Sequence, residues 1–156
     1  MTILWQISLF FFVFAPSVIL IHEFGHALAG RLLGRNDSTI VLGKGREVFS
    51  GVWQRIGVSI RQWWFLGGYT KTISSDHAFS AGKGILIALA GPVINLICAW
   101  VMFITFPKTF IWQWTAYFHL WVGVVNLIPL YIAGRKSDGW HAIQLFIRVL
   151  CERGKT

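Results

Sequence analysis

The stretch IHEFGHALAG, residues 21–30, carries the residues of this chain that are best suited to chemistry. His22 and His26 are four positions apart, so on a helix they share a face and can offer two imidazole nitrogens to one metal ion. Glu23 falls beside that face, where its carboxylate can take a proton from a water molecule at the metal. Because ionisable side chains are expensive inside an apolar span and usually functional there, the pattern predicts a hydrolytic zinc site.

A catalytic zinc ion takes three protein ligands and keeps one position open, so a third ligand is expected elsewhere. The candidates are the carboxylates and histidines outside the first motif: Asp37, Glu47, Asp76, His77, Asp138 and His141. Asp138, in SDGWH, is preferred because it follows the last apolar run and should return to the side of the histidine pair. The loop around Asp76 and His77 has the composition of a turn and helix cap. His141 could instead support the site by a hydrogen bond, and His119 is expected to join helices.

The composition places this chemistry in a membrane. Of the 156 residues, 55% are hydrophobic and only 13% are charged. That is too apolar for a soluble domain of this length and predicts one membrane-embedded unit over residues 1–156, with the lipid bilayer as a partner. The net charge of +8 does not indicate a nucleic-acid partner, because the basic residues cluster between and after the apolar runs.

Three apolar runs are predicted to span the membrane, at about residues 3–33, 84–106 and 110–133. The first contains Pro16, which gives a cause for a kink. The polar, Gly-rich segment between the first two runs has β-branched and aromatic stretches, which favour strands or a hairpin. After the third run, residues 139–151 have the pattern of a short helix. The expected fold class is therefore α-helical membrane protein, with three spans, a small β-hairpin and a short C-terminal helix.

The distribution of basic residues predicts the orientation. Eight lie in the segment 31–83, from the end of the first run to the start of the second, and five follow the third run, whereas Lys108 is alone between the second and third. Because cytoplasmic loops carry the excess of lysine and arginine, we expect a multi-pass protein of the cell membrane with its N-terminus outside and its C-terminus cytoplasmic.

Several motifs in order resemble one known family. HEFGHALAG in a span, then GGYTK, then AGPVIN in the next span, and NLIP followed by DG closing a third are similar to the site-2 proteases, intramembrane zinc metallopeptidases. The resemblance covers about residues 18–141. It implies a minimal three-span core in which His22, His26 and Asp138 bind zinc and Glu23 activates water. It also implies that the substrates are transmembrane segments or membrane-associated peptides, cut near the cytosolic face.

Gly67, Gly68 and Tyr69 of GGYTK resemble the family's membrane-facing β-loop. Peptide bonds inside a helix are protected, so a protease must first extend its substrate, and the edge of this loop could add a substrate strand. An ordinary hairpin turn is the alternative.

Two asparagines in the later apolar runs are further candidates for substrate binding. By resemblance Asn95 of AGPVIN packs beside the zinc site, although an amide that only joins helices would look the same. Asn126 begins NLIP, where the family's asparagine holds substrate backbone, and Pro129 should break the third span there. One departure is the spacing of twelve residues from Asn126 to Asp138, four more than is usual in the family.

Other classes of function are weaker. A membrane-binding protein that keeps the fold without catalysis would not need Glu23. A zinc transporter would need a second set of polar residues across the bilayer, which the sequence lacks. A membrane-bound metalloprotease with cytosolic peptide substrates remains compatible with the same motifs.

Overall fold

The computed structural model describes residues 2–34, 37–73, 80–132 and 134–153. The candidate ligands Asp76 and His77 lie outside the described residues. The elements in chain order are α1 (Ile3–Leu9), a π-helical turn (Phe10–Phe14), α2 (Ala15–Leu32), β1 (Asp37–Trp53), β2 (Ile56–Ile73), α3 (Ala81–Thr105), α4 (Phe110–Leu127), β3 (Tyr131–Ile132), β4 (Arg135–Lys136) and α5 (Asp138–Arg153). The fold is mostly helical with a small sheet between α2 and α3.

Two helical segments of the described chain are long and apolar enough to cross a membrane, Ile3–Leu32 and Ala81–Thr105. They correspond to the first two predicted spans. The third run forms α4, but the helix ends at Leu127 and the next residue is extended (φ −68°, ψ 130°), because Pro129 disfavours helical backbone before it. The expected continuation of this run to residue 133 is therefore wrong for the helix, and its crossing of the membrane stays a prediction.

The first long helix changes its hydrogen bonding where the sequence places Pro16. A proline has no N–H, so Pro16 cannot donate to the carbonyl four residues before it, that of Phe12. The backbone just before α2 is a π-helical turn, and the indole Nε1 of Trp64 donates to the Phe12 carbonyl at 3.0 Å. The sheet is therefore hydrogen-bonded to the apolar part of the first helix.

The two long strands form an antiparallel hairpin, as expected for this segment, with a tight turn at residues 54–55. Both turn residues have positive φ, 47° and 67°, which matches the twist of the flanking strands. The strands also fold back on themselves, so that segment 38–42 pairs with both 56–60 and 68–72. Gly43 permits the bend, because its φ is +86° and a side chain there would meet the backbone of β2.

Helix α3 is central in the helical part and contacts α2, α4 and α5. Small residues lie at these crossings. A Cβ added at Gly25 of α2 would lie 2.9 Å from the carbonyl oxygen of Ala90, and one at Gly123 of α4 would lie 2.9 Å from the side chain of Leu96. Their absence lets the helix backbones approach closely. This packing directs side chains from four helices toward one point.

Candidate metal centre

His22 and His26 occupy successive turns of α2 and point to the same place. Their Nε2 atoms are 3.2 Å apart; His22 is buried and His26 is partly buried. The spacing of four residues on a helix produces this arrangement without distortion.

Asp138 reaches the histidines from the first turn of α5. The preceding residue, Ser137, caps that helix: its Oγ accepts a hydrogen bond from the backbone N–H of Trp140 at 3.2 Å. The same oxygen accepts from the N–H of Leu130 at 2.9 Å and donates to the carbonyl of Ile128 at 2.7 Å. These bonds tie the start of α5 to the segment that follows α4. Ser137 was not among the residues singled out in the sequence, although a serine three residues before a helical Trp140 is a capping pattern.

Gly139 sets the distance between α5 and α4. A Cβ at this position would lie only 2.6 Å from the carbonyl carbon of Leu127. Any residue other than glycine would therefore clash with the end of α4. Since Gly139 follows Asp138 directly, this close approach helps to place the carboxylate.

The three side chains converge on a geometry that suits zinc. Asp138 Oδ2 lies 3.0 Å from Nε2 of His22 and 3.4 Å from Nε2 of His26. Ligand atoms at about 2.0–2.2 Å from a tetrahedral ion are separated by about 3.3–3.6 Å, so the triangle needs little adjustment. Burial raises the pKa of Asp138, but hydrogen bonds to the histidines and their charges lower it to about 2, which favours the ionised form that binds metals.

His26 is oriented by the backbone of α3. Its Nδ1 donates to the carbonyl of Ile87 at 2.8 Å, which leaves Nε2 to face the cluster. A Cβ added at Gly91 would lie 2.6 Å from Cε1 of the His26 ring. A glycine followed by a proline is expected to loosen a helix, but α3 is continuous through Gly91 and Pro92. Gly91 instead makes room for His26.

His22 is oriented by a buried amide. Nδ2 of Asn95 lies 3.1 Å from Nδ1 of His22, and Oδ1 of Asn95 lies 3.0 Å from Nδ1 of His119. Asn95 is 0% exposed and does not line the cleft described below. Of its two predicted roles, the structure therefore favours the one that joins helices beside the site over direct contact with substrate. His119 is an interhelical hydrogen-bonding partner, as predicted from the sequence.

Glu23 lies beside the triangle and is held by the sheet. The hydroxyl of Thr70 lies 2.7 Å from Glu23 Oε2 and 3.1 Å from the Glu23 backbone oxygen. Thr70 directly follows the residues singled out in GGYTK but was missed. Its position in the motif could have suggested it, whereas its contact depends on how β2 packs against α2.

A cleft of about 1120 Å³ opens from this cluster, and His22, Glu23, His26 and Asp138 all line it. Gly67, Gly68, Tyr69 and Asn126, predicted to bind substrate, line it too. Asn126 donates from Nδ2 to the carbonyl of Val122 at 2.9 Å, which leaves its amide oxygen to accept another hydrogen bond. A Cβ at Gly68 would lie 3.0 Å from Ile19 and 3.5 Å from Glu23 Cγ, so this glycine also lets the sheet approach α2.

The other candidate ligands in the described chain do not join the triangle. Asp37 begins β1, and Glu47 accepts a hydrogen bond from the hydroxyl of Ser59 within the sheet at 2.6 Å. His141 lines the cleft, but the three residues grouped closely enough to share one ion are His22, His26 and Asp138.

The family model of peptidase family M50 matches residues 9–110, about two thirds of the chain. The matched part contains His22, Glu23, His26, Asn95 and the sheet. Asn126 and Asp138 lie beyond it. No curated protein matches the chain.

Replacing Gly91 with alanine should weaken metal binding, because the new methyl group would displace the ring of His26. We expect the affinity for zinc to fall by about 10–100-fold, the range found when the support of a ligand is lost. The measurement is zinc affinity of the purified chain by competition with a chelator. Gly82→Ala is the matched control, since a Cβ there meets only Ser80 Oγ, at 3.6 Å. Equal zinc affinity of the two variants would contradict the role given to Gly91.

Proposed function

The chain belongs to peptidase family M50, the site-2 protease family, and on that premise we propose that it is an intramembrane zinc metalloprotease. It would hydrolyse a peptide bond of a transmembrane segment or membrane-associated peptide near the cytosolic face. The observation that carries the proposal is the triangle of His22, His26 and Asp138 with Glu23 beside it, at an open cleft. Zinc dependence is a property of the family.

In this proposal zinc would be held by Nε2 of His22, Nε2 of His26 and the carboxylate of Asp138. When bound, zinc supplies a Lewis acid that polarises the scissile carbonyl and makes water more acidic. The two nitrogens and one oxygen would supply the three protein ligands that a catalytic zinc site needs.

Glu23 acts as the general base. Its carboxylate accepts a proton from the attacking water and then delivers that proton to the leaving amine, so that the C–N bond breaks without releasing a free amide anion. The Thr70 hydroxyl, 2.7 Å from Oε2, keeps the carboxylate turned toward the cleft and leaves Oε1 to take the proton.

The substrate binds as an added strand. A helical substrate satisfies its own amides, so unwinding it in a membrane exposes polar groups, each at a cost of several kcal/mol. The edge of β2 around Gly68 can supply backbone hydrogen bonds to an extended segment, and the free amide oxygen of Asn126 can accept one from it. Both line the same cleft, which supports extension at the site of cleavage.

The proposed setting is the cell membrane, with three spans, an external N-terminus and a cytoplasmic C-terminus. Two apolar helices and the family support a membrane protein. The third span is proposed for α4, whose 18 residues extend for about 27 Å, close to the thickness of the hydrocarbon core.

Changing Glu23 to glutamine should abolish most proteolysis while zinc remains bound, because an amide cannot accept the proton. We expect turnover to fall by at least about 10²-fold. Cleavage of a membrane substrate would be read by product mass, together with the zinc content. Glu47→Gln makes the same chemical change in the sheet and should leave turnover unaffected. Cleavage by the Glu23 variant at the wild-type rate would exclude the proposed mechanism.

Changing Asn126 to leucine should reduce the cleavage of a membrane-spanning substrate by about tenfold or more. One buried N–H of the substrate backbone would lose the amide oxygen that accepts its hydrogen bond. A short, already extended peptide has less helix to unwind and should be affected less. Gln113→Leu removes the same amide from α4 but lies away from the cleft, and it serves as the control. If both variants cleave the spanning substrate equally well, Asn126 does not hold substrate.

A further inference from the structure

The amide of Asn95 can serve the metal centre in only one of its two orientations. In the structure its Nδ2 faces Nδ1 of His22 and its Oδ1 faces His119. A donor at that place makes Nδ1 of His22 an acceptor, so the proton of the neutral ring is on Nε2, the nitrogen that faces Asp138. A rotation of the amide by 180° exchanges Nδ2 and Oδ1, and each atom then takes nearly the position that the other had. The proton of His22 is then on Nδ1, and Nε2 can bind a metal.

The tautomer of His26 does not depend on the orientation of an amide. Its Nδ1 meets the carbonyl of Ile87 at 2.8 Å, and a carbonyl can only accept, so the proton is on Nδ1 and Nε2 is available. The two metal-binding histidines therefore differ: a group of fixed polarity sets the tautomer of His26, whereas a reversible amide sets that of His22.

His119, the other partner of Asn95, must accept a hydrogen bond if the amide is to take the orientation that leaves Nε2 of His22 free for a metal. After the half-turn, Nδ2 of Asn95 points to Nδ1 of His119, 3.0 Å from the amide, and needs an acceptor there. A neutral imidazole with its proton on Nε2 provides one, and an apolar side chain would not. His22, Asn95 and His119 are 5%, 0% and 3% exposed, so solvent cannot replace the missing bond.

We propose that His119 is a positioning residue, which acts through Asn95 to hold His22 in the tautomer that binds the metal. This inference rests on the proposed zinc site but not on proteolysis. The simpler role for the same contacts is to join α3 and α4, which would require no particular polarity of the amide. The two roles differ in what an acceptor-only residue at position 95 should do.

The test measures zinc affinity by chelator competition and the absorption spectrum of the cobalt-substituted chain. Asn95→Leu and His119→Phe should lower zinc affinity by about 10–100-fold and alter the cobalt spectrum. Asn95→Asp should stay within about threefold of the wild type, because a carboxylate can only accept from Nδ1 of His22. His119→Gln, which retains an acceptor, should restore part of the affinity lost in His119→Phe.

Thr115→Val is the matched control. Thr115 is one turn before His119 on α4, is 4% exposed, and bonds only to the Ile111 carbonyl of its own helix, at 2.7 Å. It should leave zinc affinity unchanged. The proposal is overturned if Asn95→Asp loses zinc as Asn95→Leu does, or if His119→Phe matches the control. The comparison at position 95 keeps His119 in place and so tests the polarity required of the amide even where His119→Phe fails to fold. Absence of zinc from the wild type would overturn the proposed function itself.

A separate observation concerns the mouth of the cleft. After α4, β3 and β4 pair to form a short ribbon, and Arg135 and Lys136 line the cleft. Lys44, from the bend of β1, lines it as well. The cleft lining contains two carboxylates, Glu23 and Asp138, which belong to the catalytic group. Apart from the histidines, its other charged side chains are these three cations.

These cations have no carboxylate partner among the ion pairs of the described chain, both of which use Asp138. Lys136 meets only a neutral group, Oε1 of Gln144 at 3.3 Å. A peptide that enters the cleft would therefore find its mouth positively charged. Resting on the proposed protease function, we infer that the ribbon selects substrates with acidic residues on the cytosolic flank of the cleaved segment.

The test compares two substrates that differ only in that flank, one acidic and one basic. The wild type should favour the acidic flank by about three- to tenfold in kcat/KM, less at high salt, since exposed pairs are weak and screened. Arg135→Glu/Lys136→Glu should remove or reverse the preference. Arg46→Glu/Arg148→Glu changes the net charge equally at exposed sites that do not line the cleft, and should keep it.

An unchanged preference in the ribbon variant, or an equal loss in the control, would overturn the inference and point to the general charge of the cytosolic surface. Binding of the two peptides to the Glu23→Gln form provides a second readout without cleavage. A charge preference in binding with no turnover in the wild type would count against the proposed protease function and not against the ribbon.

Discussion

The structure depends on bringing one carboxylate from near the end of the chain to two imidazoles near its start. His22 and Asp138 are 116 residues apart in sequence and 3.0 Å apart in space. A partly buried carboxylate is stable only where donors or a cation compensate for lost hydration. The cap at Ser137 and the contact at Gly139 hold the start of α5 where the histidines can do so. The contacts that pack α5 against its neighbours are therefore also the contacts that place Asp138 beside the two histidines.

Missing side chains are as important to this site as the polar groups. Gly91 leaves room for the ring of His26, Gly139 lets α5 approach the end of α4, and Gly68 lets β2 approach Glu23. None of these three has a positive φ, so their value lies in space and not in backbone freedom. Because interiors are closely packed, a single methyl group at such a place displaces a functional side chain. Each motif thus contributes a reactive residue and also the space that its neighbour needs.

The features visible in the sequence were those that depend on local periodicity or on chain order. Spacing of four residues was enough to pair His22 with His26, β-branched and aromatic stretches predicted the hairpin, and the position of SDG after the last apolar run pointed to Asp138. The contacts of Thr70 and of His119 were not visible as site contacts, because each depends on how two elements dock. The fold-back of β1 at Gly43 was equally hidden, since glycine signals a bend but not its partner.

The ribbon between α4 and α5 explains how a longer spacing is accommodated. Leu130 and Ser137 close its base: the N–H of Ser137 donates to the Leu130 carbonyl at 3.0 Å, and the Leu130 N–H donates to Ser137 Oγ at 2.9 Å. Residues inserted between these two positions extend the ribbon without moving Asp138, because its position is set at the base. Asn126 is likewise fixed from its own helix, through the Val122 carbonyl. Asp138 and Asn126 are thus held independently of the ribbon's length. Variation between them alters the mouth of the cleft and leaves Asp138 and Asn126 in place.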